Sequence, residues 1–510
     1  MQKKINLFLS ISLYLVLIGL LIYLLVYSIL PYSWVLLLII IAVTILTVII
    51  IYITNRLADV KLAWIMVVVC FPLLGIFLYL VFGRPYRYRK KQKVHLNLFK
   101  YFYKQEDWNF TKSLLNKENQ NISSEDLSLL IYTTKIASRP LHKNTSVEIL
   151  VNGPAKFQRL IEDLKNAEKY IFMNYYIISD GELLEVILKI FEQKVKDGVK
   201  IYMLYDHIGS YFLLSDTIIR QLKKNGVNFQ RFAPIRLPFL TGSYNFRNHR
   251  KDVIIDGVIG YAGGINLGDN YIHLSNKGFW RDTQVRLVGD AVKSLELIFR
   301  QDWHFTTGLI LNIPVNKNQK AIKNIKSEAI VQIVDDGPLT KETVQKDLFI
   351  KYISIAKTRV WITTPYLIPT GDLITALKNS AYSGVDVRLS LPGILDRYWL
   401  LDVGRTYYDQ LLEAGVKIYE YSHTLNHSKM GIFDDHFTII GSTNLDYRSL
   451  YSDHQTLVSI HDQKTNQTLT QQFLEDFKYS NLIKTNPLKK RSTFYHYLFL
   501  SLLKFLTPLF

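Results

Sequence analysis

Apolar residues are concentrated in three runs at the start of the chain, whereas the rest of the sequence alternates short apolar and polar segments. The runs cover residues 5–30, 34–53 and 62–82. A helix rises about 1.5 Å per residue, so about 20 apolar residues cross a hydrocarbon core of roughly 30 Å. The first two runs therefore predict transmembrane helices. The third run contains Pro72 and Gly75, which leaves a kinked span and a re-entrant or interfacial element as alternatives.

The residues that flank these runs predict their orientation. A cleaved signal peptide is the alternative for the first run, but that run exceeds the usual apolar length of about 7–15 residues. Basic residues are crowded between Arg84 and Lys93, which places the following chain in the cytoplasm by the positive-inside rule. Three full spans would then put Lys3 and Lys4 outside, whereas a third run that does not cross would keep both termini inside. We expect residues 1–93 to form a multi-pass membrane anchor.

The charge of the chain indicates a polyanionic partner. The 510 residues carry a formal net charge of +18, which suits either nucleic acid or an anionic membrane surface. The apolar N-terminus favours the membrane, and no nucleic acid is expected. Cys70 is the single cysteine, which excludes an internal disulfide framework and a cysteine-based zinc site.

The sequence after residue 93 contains an internal repeat. In each half an apolar, strand-like segment is followed by helix-like runs that end at a glycine and lead into β-branched strands. The matching segments are Asn152-Gly153-Pro154 with Asp336-Gly337-Pro338, Lys169–Tyr176 with Arg359–Tyr366, and Asp197-Gly198-Val199 with Ser383-Gly384-Val385. This alternation predicts an α/β fold with a mixed, largely parallel sheet in each half. We expect the halves to cover residues 94–326 and 327–485.

Each half also contains one copy of a polar motif with identical spacing. A lysine follows the histidine by two positions, an aspartate by seven and an asparagine by seventeen. The two copies are His249, Lys251, Asp256 and Asn266, and His427, Lys429, Asp434 and Asn444. Such agreement is not expected by chance, so these eight residues are the candidate site residues.

The spacing predicts a hairpin around each motif. Residues two apart on a strand share a face, and Asp256-Gly257 is typical of a two-residue turn. Such a turn would set His249 opposite Gly264 and, in the second half, His427 opposite Ser442. We expect these small residues to leave room for a substrate.

Other interpretations of the single residues are weaker. A lone histidine at a strand end is usually structural, and a lone lysine is usually solvated. A zinc site would need a second histidine or carboxylate at ligand spacing, which neither motif supplies. The duplication favours a functional site.

The two H-x-K-x4-D motifs, each followed by G-[GS]-x-N, resemble the signature of the phospholipase D superfamily. Further stretches resemble its bacterial cardiolipin synthase branch, among them Phe279–Thr283, Thr364–Pro369 and Asn444–Ser449. The resemblance implies two phospholipase D-like repeats that pack pseudo-symmetrically behind N-terminal transmembrane helices in the bacterial cell membrane. It also implies that cardiolipin and glycerol form from two phosphatidylglycerol molecules through a phosphatidyl-histidine, without metal or cofactor. A phospholipase D hydrolase, a synthase that uses phosphatidylethanolamine, a nuclease and an inactive membrane scaffold are the alternatives.

The resemblance also implies roles for the motif residues. The two histidines would be nucleophile and general acid–base, the lysines together with Asn266 and Asn444 would bind phosphate oxygens, and Asp256 and Asp434 would order the half-sites.

Three residues depart from that branch, namely Asn174, Gln284 and Gln455. The superfamily usually has a carboxylate at the position of Gln455 to orient a histidine, and Asp453 is a candidate replacement. The first half has an acidic candidate at Asp282. We therefore expect Asp282 to orient His249 as the nucleophile, with His427 as the general acid.

The last residues, 486–510, form a basic and aromatic tail. Lys489, Lys490 and Arg491 precede an apolar stretch that ends at Phe510. This pattern predicts an amphipathic element on anionic lipid, with a plain core helix as the alternative. Phosphatidylglycerol and anionic membrane lipids are the expected partners, and the sequence does not predict an oligomeric state.

Overall fold

The structure is a computed structural model. It describes residues 33–54, 57–83, 100–115, 122–234, 246–274, 279–311, 325–338, 343–395, 398–491 and 493–509, and the single residues 19, 97, 313 and 340. The predicted span 5–30, apart from Gly19, and the whole basic cluster 84–93 lie outside the described residues.

One described helix, Ser33–Ile53, contains a stretch long and apolar enough to cross a membrane, Trp34–Ile53. Most of its side chains are exposed, as expected of a helix that faces lipid rather than a protein core.

The third apolar run is a helical hairpin rather than one straight helix. Helix Ala58–Cys70 ends at Phe71, and a second helix, Pro72–Leu78, continues into a π-helical turn at Tyr79–Gly83. Proline cannot donate a backbone hydrogen bond, which favours the break at this point. The two arms touch, because a Cβ at Gly75 would lie 2.4 Å from the Val67 carbonyl oxygen. The Trp64 and Tyr79 rings lie edge to face at 5.4 Å.

Each half of the remaining chain is built around one mixed sheet. The strands are β1 Thr145–Val151, β2 Tyr170–Tyr175, β3 Lys200–Asp206, β4 Asn228–Phe232, β5 Lys251–Ile255, β6 Ile259–Gly263, β7 Trp280–Arg281, β8 Thr283–Gly289, β9 Ile330–Asp336, β10 Arg359–Thr363, β11 Leu367–Ile368, β12 Asp386–Pro392, β13 Lys417–Tyr421, β14 Leu425–Asn426, β15 Met430–Phe433, β16 Phe437–Gly441, β17 Leu445–Asp446, β18 Gln455–His461 and β19 Ser480–Ile483. The sheet orders are β1-β8-β6-β5-β2-β3-β4 and β19-β13-β12-β10-β15-β16-β18-β9.

The prediction of α/β architecture with mixed sheets is confirmed, but the sheets are not largely parallel. Within the two main sheets, the parallel pairs are those of β2-β3-β4 and β10-β12-β13. The other neighbours within the two sheets pair antiparallel. The reason is that the motif strands form hairpins, which are antiparallel.

Helices cover the outer faces, and the sheets meet at a shared core. The helices outside the N-terminal hairpin are Asn109–Leu115, Ser124–Ala137, Asn152–Lys165, Glu182–Lys196, His207–Ser210, Asp216–Lys224, Val292–Thr307, Val344–Ile355, Gly371–Tyr382, Tyr398–Arg405, Tyr408–Glu413, Tyr447–Tyr451, Gln463–Lys478, Leu488–Arg491 and Phe494–Leu506. One apolar cluster joins the halves, with Phe172 and Ile254 of the first sheet packed together with Ile432 and Val458 of the second. The two motif hairpins therefore lie in the middle of the molecule.

The motif hairpins are one residue longer than predicted. Residues 256–258 separate the paired residues Ile255 and Ile259, and residues 434–436 separate Phe433 and Phe437. The turn itself is as expected, since Asp256 and Gly257 both have positive φ (54° and 67°) and Val258 N–H donates to the Ile255 carbonyl. Val258 is an additional residue that shifts the register by one position, and such a shift changes which side chains face each other.

The C-terminal helix Phe494–Leu506 lies on the second half and beside the N-terminal hairpin. Leu500 is buried in the core of the second half, and Leu509 packs with the cluster that contains Trp64 and Tyr79. Phe494 and Tyr495 are 77% and 80% exposed, so one apolar face of this segment is uncovered.

Candidate active site

The backbone of each motif histidine is held by the opposite half of the molecule. His249 N–H donates to the His454 carbonyl oxygen at 2.9 Å, and His427 N–H donates to the Arg281 carbonyl oxygen at 2.7 Å. Short bridges between the halves support these contacts, because β14 pairs with β7 and Asn248 pairs with His454. Both histidines are 9% exposed. The structure thus brings the two motifs into one buried site.

The side-chain partners of the histidines also come from the opposite half. His427 Nδ1 lies 2.7 Å from Asp282 Oδ2, and His249 Nδ1 lies 3.0 Å from Gln455 Oε1. The expectation that Asp282 orients His249 is therefore wrong. The physical reason is that the two hairpins meet across the interface, so each reaches the segment that follows the other motif.

Asp453 does not take the place of the carboxylate that orients a histidine in the superfamily. Its Oδ2 accepts from Arg448 Nε at 3.2 Å, and within the described part of the chain its Oδ1 has no hydrogen-bond partner.

The small residues of the G-[GS]-x-N segments make room for these orienting side chains. A Cβ at Gly264 would lie 2.2 Å from Asp282 Oδ1, and Ser442 Oγ donates to Gln455 Oε1 at 2.6 Å. The expectation that Gly264 and Ser442 face the histidines and leave room for a substrate is therefore wrong. The reason is the one-residue shift in the register of the hairpins.

The two motif lysines lie beside the histidines and are buried. Lys251 Nζ donates to the carbonyl oxygen of His249, and Lys429 Nζ donates to that of His427. Burial and the nearby Lys429 hold the pKa of Lys251 well below its usual value. Burial lowers the pKa of Lys429 to about 8, although Asp282 and Asp446 oppose the change. The two ammonium groups form a site that would bind an anion strongly.

Burial and the two lysines also disfavour the protonated histidines. The pKa of His427 is lowered to about 4 by burial and by Lys429, with Asp282 acting in the opposite direction. Burial and the lysines likewise lower the pKa of His249, and Gln455 opposes this only by a hydrogen bond. Both imidazoles are therefore neutral in the ligand-free site. When His427 becomes cationic, the Asp282 carboxylate stabilises that form.

The two motif asparagines occupy the same region. Asn266 Nδ2 donates to Tyr271 Oη at 3.0 Å, and its Oδ1 accepts from Ile177 N–H. Asn444 is hydrogen-bonded to Asp446, and none of the residues that the structure describes donates to its buried Oδ1.

The motif aspartates lie at the far ends of the hairpins and bind backbone. Asp256 accepts from the N–H groups of residues 168–170 at 2.7–2.9 Å. Asp434 accepts from the N–H groups of residues 357–359. Burial alone would raise the pKa of Asp434, but these N–H groups hold it below its usual value. Both aspartates thus fix the start of a neighbouring strand, β2 or β10.

Two further departures from the family pattern have structural contacts. Gln284 Nε2 donates to the Lys251 carbonyl and its Oε1 accepts from Ile265 N–H. Asn174 donates to Asp302 at 2.9 Å. Within the described residues, no cluster of three or more His, Cys, Asp or Glu side chains could hold a metal ion.

Sequence reasoning gave no role to the aromatic residues around the histidines. The Trp280 ring lies 5.5 Å from the His427 ring, and the Tyr176 ring lies 4.9 Å from the His249 ring. Tyr271 Oη lies 3.5 Å from His427 Nδ1. The sequence signal that could have indicated a role for Trp280 is its position two residues before Asp282.

Family models match both halves of the chain and its N-terminal region. The family model described as "Cardiolipin synthase, PLD-like domain" matches residues 160–303 and 349–477, one match in each half. The model "Phospholipase_D-nuclease N-terminal" matches residues 35–84.

Curated relatives match along most of the chain. The cardiolipin synthase of Halalkalibacterium halodurans is 36% identical over 452 residues, which cover 88% of this chain and 89% of that protein. Cardiolipin synthase 2 of Bacillus anthracis is 37% identical over 447 residues, covering 87% and 85%. The crystal structure of phosphatidylserine synthase from Haemophilus influenzae superposes with a TM-score of 0.59 at 14% identity, over 75% of this chain and 100% of that one. That likeness supports the fold alone.

Proposed function

The chain belongs to the cardiolipin synthase family of phospholipase D-like proteins, and on that basis we propose that it joins two phosphatidylglycerol molecules into cardiolipin and releases glycerol. Its activity is that of a cardiolipin synthase, a phosphatidyltransferase. The observation that carries the proposed chemistry is the site in which each histidine is fixed by backbone and side chain of the opposite half.

In the first step, His427 Nε2 attacks the phosphorus of phosphatidylglycerol. Asp282 accepts a hydrogen bond from Nδ1–H, which leaves the Nε2 lone pair free and stabilises the cation that forms when Nε2 bonds to phosphorus. The P–O bond to glycerol breaks, and His249 protonates the departing alkoxide. Phosphatidyl-His427 and glycerol are the products of this step.

In the second step, neutral His249 removes the proton from a terminal hydroxyl of another phosphatidylglycerol. The oxygen attacks phosphorus, the P–N bond to His427 breaks, and cardiolipin forms. Water must be kept out, because its attack would yield phosphatidic acid. The burial of both histidines supports that exclusion.

The lysines and asparagines would bind the non-bridging phosphate oxygens during both steps. Lys251 and Lys429 supply positive charge in a dry site, where it stabilises an anionic transition state strongly. Asn266 and Asn444 complete this set, whereas Asp256 and Asp434 order the hairpins. The negative charge of a bound phosphodiester would also raise the pKa of both histidines. His249 would then carry the proton that it donates to the departing alkoxide.

The anion site predicts a pH dependence of ligand binding. Dimethyl phosphate keeps one negative charge across the neutral range, so only the protein titrates. Lys429 is protonated below about pH 8, so we expect the inhibition constant of dimethyl phosphate to rise by up to about tenfold per pH unit above that value. Lys429→Met should bind it weakly at every pH, while Glu475→Gln, an exposed change, should keep the wild-type profile. An inhibition constant that stays flat to pH 10 would contradict the prediction.

We also propose that the two halves, 94–326 and 327–485, pack pseudo-symmetrically around the site. The reciprocal contacts support this arrangement. His249 meets His454 and Gln455, and His427 meets Arg281 and Asp282 in the same way.

The anchor, residues 1–93, and the tail, residues 486–510, are proposed to hold the protein in the cell membrane with the catalytic halves in the cytoplasm. The hairpin supports a re-entrant third segment, and this removes the conflict with Lys3 and Lys4. Tyr447 Oη donates to Asp59 Oδ2 at 2.6 Å, which ties the base of the hairpin to the site segment. Exposed apolar residues at the hairpin tip (Phe71, Leu73 and Leu74) would lie in the hydrocarbon.

Cys70 allows this topology to be tested without a substitution, because it is the single cysteine and is exposed beside the hairpin tip. A fluorophore attached to Cys70 in detergent should, after reconstitution in liposomes, be quenched by lipids with brominated chains and not by aqueous iodide on either side. The control carries the label at residue 475 in a Cys70→Ala, Glu475→Cys protein, and iodide should quench it. Quenching of the Cys70 label by iodide would contradict burial of the tip in lipid.

The function is tested with the purified full chain and phosphatidylglycerol labelled in its acyl chains and in its terminal glycerol. Equal amounts of cardiolipin and free glycerol would support the proposal. Phosphatidic acid without cardiolipin would support a hydrolase. Cardiolipin that forms only when phosphatidylethanolamine is added would identify that lipid as a required substrate.

A further inference from the structure

The surroundings of the two histidines differ in polarity. Beside His427, the Trp280 ring packs with Leu425 and with a small apolar cluster completed by Tyr366, Leu395, Leu400 and Leu401. This face suits the acyl-bearing part of a lipid.

The face beside His249 is charged. Tyr176 packs against His249, and Asp453 and Arg448 form an ion pair close by, at 3.2 Å. Asp453 is near this histidine because the next residue, His454, accepts the His249 backbone N–H. Its charge acts on both Tyr176 and Lys251.

Asp453 has an unused acceptor in this face. Its side chain is 5% exposed, yet Oδ1 has no hydrogen-bond partner among the described residues. A buried carboxylate oxygen without a donor is unfavourable, and burial accordingly raises the pKa of Asp453 to about 7. The Arg448 side chain is 34% exposed, so a ligand could reach the pair.

We infer that the Asp453–Arg448 pair is the subsite for the glycerol headgroup, with a glycerol hydroxyl donating to Asp453 Oδ1. This inference rests on the proposed function. A departing glycerol must lie beside the histidine that protonates it, and its other hydroxyls need acceptors in a dry site. The terminal glycerol of the second phosphatidylglycerol is the same chemical group, so it would occupy the same subsite when it attacks.

The subsite predicts a preference for polyols over simple alcohols as acceptors. The full-length wild-type enzyme is given cardiolipin as phosphatidyl donor with glycerol and 1-propanol in competition. 1-Propanol has the attacking primary hydroxyl but lacks the other two. We expect kcat/KM to favour glycerol by about 10- to 100-fold, as for a hydrogen bond to a charged group. Asp453→Asn should lose most of this preference, whereas Glu475→Gln should keep it.

The ratio of the two products is measured within one enzyme, so partial loss of folded protein does not change it. If Asp453→Asn yields no active protein, the wild type alone decides by comparison of glycerol, 1,2-propanediol, 1,3-propanediol and 1-propanol. A wild type that makes cardiolipin but accepts these alcohols equally, or an Asp453→Asn enzyme with the wild-type ratio, would overturn the subsite. A wild type that makes no cardiolipin from phosphatidylglycerol would instead overturn the proposed function.

Discussion

His427→Ala is expected to lose phosphatidyl transfer from every donor, whereas His249→Ala should regain the first step, formation of the phosphatidyl-enzyme, from a donor whose leaving group needs no proton. The reason is that Asp282 is paired with His427 at 2.7 Å, which favours His427 as the nucleophile of the proposed mechanism, while His249 is paired with a neutral amide. An alkoxide such as that of glycerol needs an acid to leave, but nitrophenolate does not. General acid catalysis typically contributes about 10²- to 10⁴-fold, so formation of the phosphatidyl-enzyme by His249→Ala should be slowed to that extent with phosphatidylglycerol only.

The measurement is the release of nitrophenolate from phosphatidyl-p-nitrophenol on rapid mixing. His249→Ala should give a burst close to one equivalent, with the adduct found on His427 after acid quench. His461→Ala is the matched control and should behave as wild type, because this partly buried histidine lies at the opposite end of β18 from Gln455 and pairs with Asp126. A burst in His427→Ala, or an adduct on His249, would reverse the assignment.

Sequence spacing could predict the hairpins and their contents but not which partner each histidine has. Spacing within one motif fixes local geometry, so Asp256 and Asp434 lie at turns as expected. The partner of His249 depends on how the halves dock, and Asp282 lies in the same half as His249. Assignment by proximity in sequence therefore gave the wrong pair.

Two smaller differences have the same kind of origin. The additional residue Val258 shifts the hairpin register and turns Gly264 towards Asp282. In the anchor, composition could not separate a span from a hairpin at Pro72, because that choice depends on the contact of Gly75 with Val67.

Asp282→Asn is expected to lower kcat by about 10³- to 10⁴-fold, as replacement of the aspartate does in hydrolases whose histidine is oriented in this way. Both oxygens of Asp282 accept from nitrogen, since Oδ1 is 2.7 Å from Thr283 N and Oδ2 is 2.7 Å from His427 Nδ1. An asparagine has only one acceptor. If its NH2 group faces His427, Nδ1 must accept and the proton moves to Nε2, which can no longer attack phosphorus. If its NH2 group faces Thr283, two donors oppose each other in a fully buried position.

Loss of charge adds to this effect, because a neutral amide cannot stabilise the cationic phosphatidyl-imidazolium. The nitrophenyl donor should therefore not restore Asp282→Asn, in contrast to His249→Ala, because the defect lies in the nucleophile and not in the acid. The matched variant is Gln455→Leu, which removes a neutral acceptor from His249 and should cost only about tenfold. Thermal unfolding of each variant checks that the fold is retained. An Asp282→Asn enzyme within tenfold of wild type, or one restored by the nitrophenyl donor, would show that the carboxylate does not act through His427.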